Sequence, residues 1–248
     1  MSPLVLLLAA AALAAACPIN GTVSADTHAV GCADLWLTVA ADNVTLVIEG
    51  ATGSINVTSN AAGTTLRLID STVNGNITLN GPNAFADVRR STVTGTEVLL
   101  LSGARNATIA VADSTLTGAV VASVRCSGSA IGVSVAIANS TLKATRYAAS
   151  VVGATIRDVA VVVTDSRLAL NGSDNTGVVA LAAPSVSNAA VNVTASSITC
   201  KAGDYVGVLG TGNTGVTWTN VTVSATLSNV TSTAGYFVGV LGAGANTG

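Results

Sequence analysis

Charged and aromatic residues are scarce in this sequence. Only 9% of its 248 residues are charged and 3% are aromatic, whereas half are hydrophobic. The ten basic residues are scattered and the net charge is −2, so the chain has no cationic stripe that could neutralise a row of phosphates. Arg89-Arg90 is the only basic pair, and we interpret it as two solvated turn residues. The composition therefore argues against nucleic acid as a partner.

Residues that perform hydrolytic or lyase chemistry are equally sparse. His28 is the only histidine, and no two of the 12 acidic residues lie within three positions of each other. A glycosidase needs two carboxylates close together, and a serine hydrolase needs a histidine to activate its hydroxyl. We interpret His28 as a solvated loop residue, and we predict no catalytic residue, no metal site and no cofactor.

Cysteine is also rare, with four residues and neither a C-x-x-C pair nor a Cys/His cluster that could bind zinc. Cys17, Cys32, Cys126 and Cys200 fit an oxidising compartment but are too few for a disulfide-rich framework. Proximity in the sequence predicts a disulfide between Cys17 and Cys32. Lipidation of Cys17 is the alternative.

The hydrophobic stretch PLVLLLAAAALAAA occupies residues 3–16. It is shorter than the roughly 20 residues of a membrane-spanning helix, and it ends in small residues that suit signal peptidase. We therefore predict a signal peptide over residues 1–16 and a secreted protein. A bacterial lipoprotein that begins at Cys17 is the competing interpretation.

Triplets of the form N-x-S/T, which accept N-linked glycans, are frequent. Ten of the 18 asparagines begin one, and these are the predicted glycosylation sites: Asn20, Asn43, Asn56, Asn76, Asn106, Asn139, Asn171, Asn192, Asn220 and Asn229. Abundant Asn and Thr would produce some triplets by chance. The excess favours a eukaryotic secretory glycoprotein over the bacterial alternative.

A short motif, apolar-x-x-Ser-x-apolar, recurs along most of the chain. Its serines are Ser71, Ser91, Ser114, Ser140, Ser166 and Ser196, and a degenerate copy ends at Val223. The final apolar residues of successive copies are separated by 20, 23, 26, 26, 30 and 25 residues. An earlier segment, residues 47–49, lies 21 residues before residues 68–70. Periods of this length are typical of solenoid coils.

The segments before these serines alternate between apolar and small or polar residues, as in Val159, Val161 and Val163, which is the pattern of a strand. Gly, Thr and Val interrupt every candidate helix after the signal peptide. The predicted fold is all-β: a right-handed parallel β-helix, or β-solenoid, with about 20–30 residues per coil. We assign residues 17–45 to an amino-terminal cap or first coil and residues 46–248 to the solenoid repeats.

In a parallel solenoid, equivalent residues of neighbouring coils lie about 4.8 Å apart. The recurring serines should therefore form a hydroxyl ladder at one corner. Among the residues that precede them, Arg90 and Asn139 are expected to separate the carboxylates of Asp70, Asp113 and Asp165.

Cys126 and Cys200 would lie three coils apart, so we predict no disulfide between them. The aromatic residues Trp36, Tyr147, Tyr205, Trp218 and Tyr236 are interpreted as core or loop anchors.

Two parts of the sequence carry a resemblance to known proteins. Residues 205–210 (YVGVLG) and 236–242 (YFVGVLG) resemble the short GLUG repeat of secreted and surface proteins. The signal peptide, the sequon-dense Val/Thr/Ser coils and the Asp-Ser-Thr or Asn-Ser-Thr corners are similar to those of the dispersed-gene-family and related membrane-associated surface proteins of kinetoplastid protists. Members of that family carry transmembrane segments near their carboxyl end. The resemblance implies that this chain is a truncated piece, and that it associates with a membrane only through a segment absent from it.

These observations predict a non-catalytic structural glycoprotein module that is secreted or displayed at the cell surface. Adhesion or formation of a surface coat is the expected role, with host-cell or matrix glycans and proteins as possible partners. The fold analogy leaves a polysaccharide lyase or hydrolase of the parallel β-helix type as one alternative. A bacterial secreted lipoprotein adhesin is the other.

Overall fold

The computed structural model describes residues 14–15, 20–103, 105–171, 176–200, 205–211, 216–232 and 237–243. Within these ranges the chain is all-β and contains no helix. Accordingly, the described residues include no helix that could cross a membrane. Of the predicted signal peptide, only Ala14 and Ala15 are described, and they pair with a strand of the first coil.

Short strands follow one another along the whole described chain. In chain order they are β1 (Ala14–Ala15), β2 (Asn20–Val23), β3 (Thr27–Val30), β4 (Ala33–Val39), β5 (Thr45–Glu49), β6 (Thr52–Ser59), β7 (Thr65–Ile69), β8 (Thr72–Leu79), β9 (Phe85–Arg89), β10 (Thr92–Thr94), β11 (Glu97–Ser102), β12 (Thr108–Ala112), β13 (Thr115–Arg125), β14 (Ser129–Ile131), β15 (Ser134–Ala138), β16 (Thr141–Val152), β17 (Thr155–Thr164), β18 (Arg167–Leu170), β19 (Thr176–Ala182), β20 (Ser185–Thr194), β21 (Ser197–Cys200), β22 (Tyr205–Thr211), β23 (Thr217–Thr226), β24 (Asn229–Ser232) and β25 (Phe237–Ala243).

The strands assemble into two long parallel sheets that share every coil. The first sheet has the order β1-β3-β5-β7-β9-β12-β15-β17-β20-β23, with β14 beside β17. The second has the order β2-β4-β6-β8-β10-β13-β16-β18-β21-β24, and β11, β19, β22 and β25 form further pairs in the same sheet. Every strand therefore pairs with the equivalent strand of the next coil, which makes the fold a parallel β-helix, as predicted.

Inward-facing aliphatic side chains fill the space between the two sheets. One column of the first sheet is made of fully or almost fully buried residues, namely Leu68, Val88, Val111, Ile137, Val163 and Val193. Their neighbours along each strand point outward, because successive side chains of a strand lie on opposite faces. The predicted alternation is thus confirmed, and the core is a narrow stack of Val, Ile, Leu and Ala.

The six repeated serines are buried and form one continuous column at a corner. Each Oγ donates to the carbonyl oxygen two residues earlier, at 2.6–2.8 Å. Each also accepts the backbone N–H of the equivalent residue one coil earlier, at 3.0–3.3 Å, a chain of contacts that continues to Ser228. The predicted ladder is confirmed, but it joins hydroxyl to backbone rather than hydroxyl to hydroxyl.

The residue before each of these serines has a left-handed backbone, with φ of 45–53°. Asp and Asn adopt this conformation more readily than other side chains. Arg90 contacts both carboxylate oxygens of Asp70, at 2.6 and 2.9 Å, and Asn139 Nδ2 donates to Asp113 Oδ1 at 2.6 Å. The hydrogen bond from Arg90 lowers the pKa of Asp70. These contacts confirm that Arg90 and Asn139 separate the carboxylates of the column.

Two predicted repeat positions are wrong. Ile48 pairs with Leu68, so the earliest copy lies 20 residues before the next one and not 21. A shift of one residue matters because it exchanges the two faces of a strand. At the other end the corner serine is Ser228, which lies 32 residues after Ser196, while Val223 pairs with Val191 in the first sheet. The coils therefore lengthen to 32 residues, slightly beyond the predicted range.

Leu227 occupies the left-handed corner position of the last described coil, with φ of 51° and 87% of its surface exposed. A left-handed backbone costs an ordinary side chain roughly 1–2 kcal/mol. We expect Leu227→Asn to stabilise the protein by about 1 kcal/mol, measured as a higher urea midpoint. Leu227→Ala keeps the Cβ and should leave the midpoint unchanged. An equal gain in both variants would show that exposure, and not the backbone, is responsible.

Candidate glycosylation sites

The predicted glycosylation sites lie on the surface of the rod. Asn192 is half-buried, and the others whose side chains are described are exposed, namely Asn43, Asn56, Asn76, Asn106, Asn139, Asn171, Asn220 and Asn229. The side chain of Asn20 and the hydroxyl residue that completes the Asn171 triplet lie outside the described residues. Exposure is necessary for a glycan in the folded protein. The sites nevertheless differ in what their amide groups contact.

Four of these asparagines occupy left-handed corner positions, where φ is 57° at Asn43, 55° at Asn106, 45° at Asn139 and 52° at Asn220. Asn106 Nδ2 donates to Asn83 Oδ1 of the preceding coil at 3.1 Å, and Asn220 Nδ2 donates to Asn188 Oδ1 at 3.0 Å. Here asparagine has a structural reason to occur, because it tolerates the backbone and pairs across coils. Part of the triplet excess is therefore a consequence of the fold.

These contacts belong to a second corner column that the sequence interpretation missed. Its members are Asn43, Gly63, Asn83, Asn106, Gly132, Asp158, Asn188 and Asn220, all with positive φ. A Cβ at Gly63 would lie 2.3 Å from Asn43 Oδ1, so another residue at this position would require the Asn43 side chain to move. The column was detectable, because Asn, Asp and Gly recur at the same intervals as the corner serines. The N-x-S/T triplets drew attention to three of its members, Asn43, Asn106 and Asn220, for a different reason.

Asn56 and Asn76 differ from the corner residues because they lie on the outer face of the second sheet. They pair in register on adjacent strands, β6 and β8, and both are exposed. Thr58 and Thr78, which complete the two triplets, lie two residues further on and therefore on the same face. Each triplet thus presents its amide and its hydroxyl together.

One of the aromatic residues, Trp36, is placed differently from what the sequence indicated. Trp36 lies on the outer face of β4 with 49% of its surface exposed, so its assignment to the core or to a loop anchor is wrong. Trp218 is half-buried against the core, and Tyr147 is half-buried in β16. The side chains of Tyr205 and Tyr236 lie outside the described residues.

Of the described cysteines, Cys32 and Cys200 are buried and Cys126 is half-buried. Cys32 is fully buried and engaged in a disulfide; its predicted partner, Cys17, lies outside the described residues. Cys126 and Cys200 form no disulfide with each other, as predicted. Burial raises the pKa of the Cys200 thiol to about 11, so this thiol stays protonated at neutral pH and is a poor nucleophile.

Five acidic side chains of the described chain each lie within 4 Å of an arginine or histidine side chain. The pairs are Asp70–Arg90, Asp87–Arg89, Glu97–Arg125, Asp158–Arg157 and Glu49–His28. His28 is half-buried in strand β3, so its assignment to a loop is wrong, and its Nε2 is 3.0 Å from Glu49 Oε2. The described residues hold no group of three or more His, Cys, Asp or Glu that could bind a metal ion.

Comparison with known proteins identifies no relative: no family model, curated protein or solved structure matches this chain.

Proposed function

We propose that this chain is a non-catalytic structural module of a secreted or cell-surface glycoprotein, with a role in adhesion or in a surface coat. The observation that carries the proposal is the placement of the N-x-S/T asparagines. Eight of the ten are exposed on the outside of the rod, while the interior of the described chain is a continuous aliphatic stack. A rod of this kind can hold glycans at intervals along its length.

The distribution of charge favours the same function over that of a polysaccharide hydrolase or lyase. Glycoside hydrolysis needs one carboxyl group to donate a proton and a second, nearby, to act as nucleophile or base. In this chain Asp70, Asp87 and Glu97 each contact an arginine of the same or a neighbouring coil. Asp26, Asp34 and Asp42 instead accept backbone N–H groups of the next coil, at 2.7–2.8 Å. Except for Asp87, whose arginine lies in the same strand, these carboxylates hold neighbouring coils together.

The proposed partners are host-cell or matrix glycans and proteins. A parallel β-helix offers a long, regular surface, and repeat folds commonly bind through such extended faces. Adhesion through many weak contacts would suit this surface because linked contacts gain from effective concentration without any single strong site.

The proposal predicts that the protein carries several N-linked glycans when secreted by eukaryotic cells. The intact mass should fall by several glycan units after enzymatic removal of N-linked glycans. Asn56→Gln and Asn76→Gln should each lower the mass of the secreted protein by one glycan. The matched control is Asn74→Gln, an exposed asparagine of the same strand that begins no N-x-S/T triplet, and it should leave the glycan mass unchanged.

A secreted protein whose mass does not change on treatment would contradict the proposal. A lipid attached to Cys17 would favour the bacterial lipoprotein adhesin instead. The β-helix itself would stand in either case, since it depends on the packing of its coils.

A further inference from the structure

Trp36 is an exposed aromatic residue on the outer face of β4. The chain contains two tryptophans in 248 residues, and this one faces outward from β4 between Leu35 and Leu37, which are almost fully buried. About half of its surface, 49%, is exposed. The exposed part of the indole is apolar surface that a group of matching shape can remove from water.

The parallel register places Trp36 between two predicted glycosylation sites, Asn20 of β2 and Asn56 of β6, and the side chain of Asn56 is the one that the structure describes. Trp36 pairs with Asn56 of the next coil, so their backbones are about 4.8 Å apart and both side chains point outward. Asn76 continues the same column one coil further on, at about twice that distance from Trp36. A sugar attached to Asn56 is therefore within reach of the indole, and one attached to Asn76 is farther away by a whole coil.

The neighbouring side chains are held in fixed positions on both sides of this pair. Thr38 and Thr58 lie two residues further along the same strands, and their hydroxyls are 3.3 Å apart. On the other side, Asp34 Oδ1 accepts the backbone N–H of Ser54 at 2.7 Å. Trp36 and Asn56 thus form a bounded platform on the outer face, with the indole as its apolar part.

We propose that the N-linked glycan of Asn56 folds back along the rod and packs its first sugar rings against the indole of Trp36. This inference rests on the proposed glycosylation of the chain. A pyranose ring has one face lined by C–H groups, which is apolar enough to cover an aromatic ring and remove its surface from water. The glycan at Asn56 is then part of the folded surface and not a freely moving chain.

Fluorescence quenching tests the contact on the intact protein. In an Asn20→Gln, Trp218→Phe background, the predicted acceptor on the other side of Trp36 is removed and Trp36 is the only tryptophan. Acrylamide then reports the accessibility of Trp36. We expect the quenching constant of the glycosylated protein to be about twofold lower than after enzymatic deglycosylation, because a sugar would cover one face of the ring. Asn56→Gln should abolish this difference, and the matched variant Asn76→Gln, in the same column, should retain it.

Thermal unfolding supplies a second measurement that does not depend on fluorescence. Removal of glycans should lower the Tm by about 2 °C more in the parent protein than in Trp36→Ala, since the variant has no indole to cover. Trp36 is exposed, so this substitution should leave the core intact.

The outcomes separate this inference from the proposed function. Absence of glycans at every site would refute the proposed function and the inference together. Glycans elsewhere with Asn56 unmodified, or a modified Asn56 with unchanged quenching and equal Tm shifts, would refute the inference alone. Site occupancy is read from glycopeptide masses of the same preparation.

Discussion

Gly75→Ala should destabilise the protein by at least about 3 kcal/mol. Gly75 lies in β8, in register with Ile55 on one side, and a Cβ at Gly75 would be 1.7 Å from the carbonyl oxygen of Ile55. That oxygen belongs to the backbone of the neighbouring coil, so no change of side-chain rotamer can relieve the overlap. The φ of Gly75, 154°, is also unfavourable for any residue with a Cβ. The coils would have to separate at this point.

Urea unfolding of the unglycosylated protein measures this effect. The matched control is Gly128→Ala, because a Cβ at Gly128 meets no atom within 4 Å. We expect the control to change the free energy of unfolding by less than about 0.5 kcal/mol. If both variants lose the same stability, close stacking of the coils is not the reason for glycine at position 75.

Ser114→Ala should cost about 2 kcal/mol, although it removes only one oxygen. Ser114 Oγ accepts the backbone N–H of Ser91 at 3.1 Å, in a corner where both serines are almost fully buried. Alanine would leave that N–H without an acceptor and away from water, which costs more than the hydrogen bond itself contributes. The carbonyl oxygen of Ala112 loses the hydroxyl of Ser114 in this variant. It still accepts a hydrogen bond from the backbone N–H of Arg90.

Ser123→Ala is the matched control for Ser114→Ala. Ser123 is equally buried, in β13 of the second sheet, but its Oγ has no hydrogen-bond partner. Its hydroxyl therefore bears a desolvation cost without compensation, and alanine should be neutral or stabilising by about 1 kcal/mol. Equal losses in the two variants, in urea unfolding, would mean that the corner hydroxyls act through packing and not through the N–H groups that they accept.

The corner columns bear on how N-x-S/T triplets are interpreted in repeat folds of this kind. At Asn106, Asn139 and Asn220 the amide nitrogen donates to an oxygen of the preceding coil. These asparagines would recur even in a protein that is never glycosylated, because the left-handed backbone and the cross-coil pairing both favour them. Outward-facing strand residues such as Asn56 have no such reason, so their occupancy tests the glycoprotein proposal more directly.

The sequence by itself determined the fold class, and the physical reason is locality. Alternation such as Val159, Val161 and Val163 is a property of a few consecutive residues, and it decides which face of a strand is buried. The interval between the corner serines then determines the length of most coils. Because both signals lie within one coil, they could be read without knowledge of any partner strand. The same reasoning placed Arg90 and Asn139 between carboxylates.

Only the tertiary structure decided which residues lie side by side across coils. The sequence placed the last repeat at Val223, but the backbone pairs Val223 with Val191 and puts Ser228 at the corner. It also did not indicate that Trp36 faces outward beside Asn56. Register depends on pairing between residues 14–32 positions apart, and loops of varying length shift it by amounts that local patterns do not record. The candidate glycan platform is a product of that register.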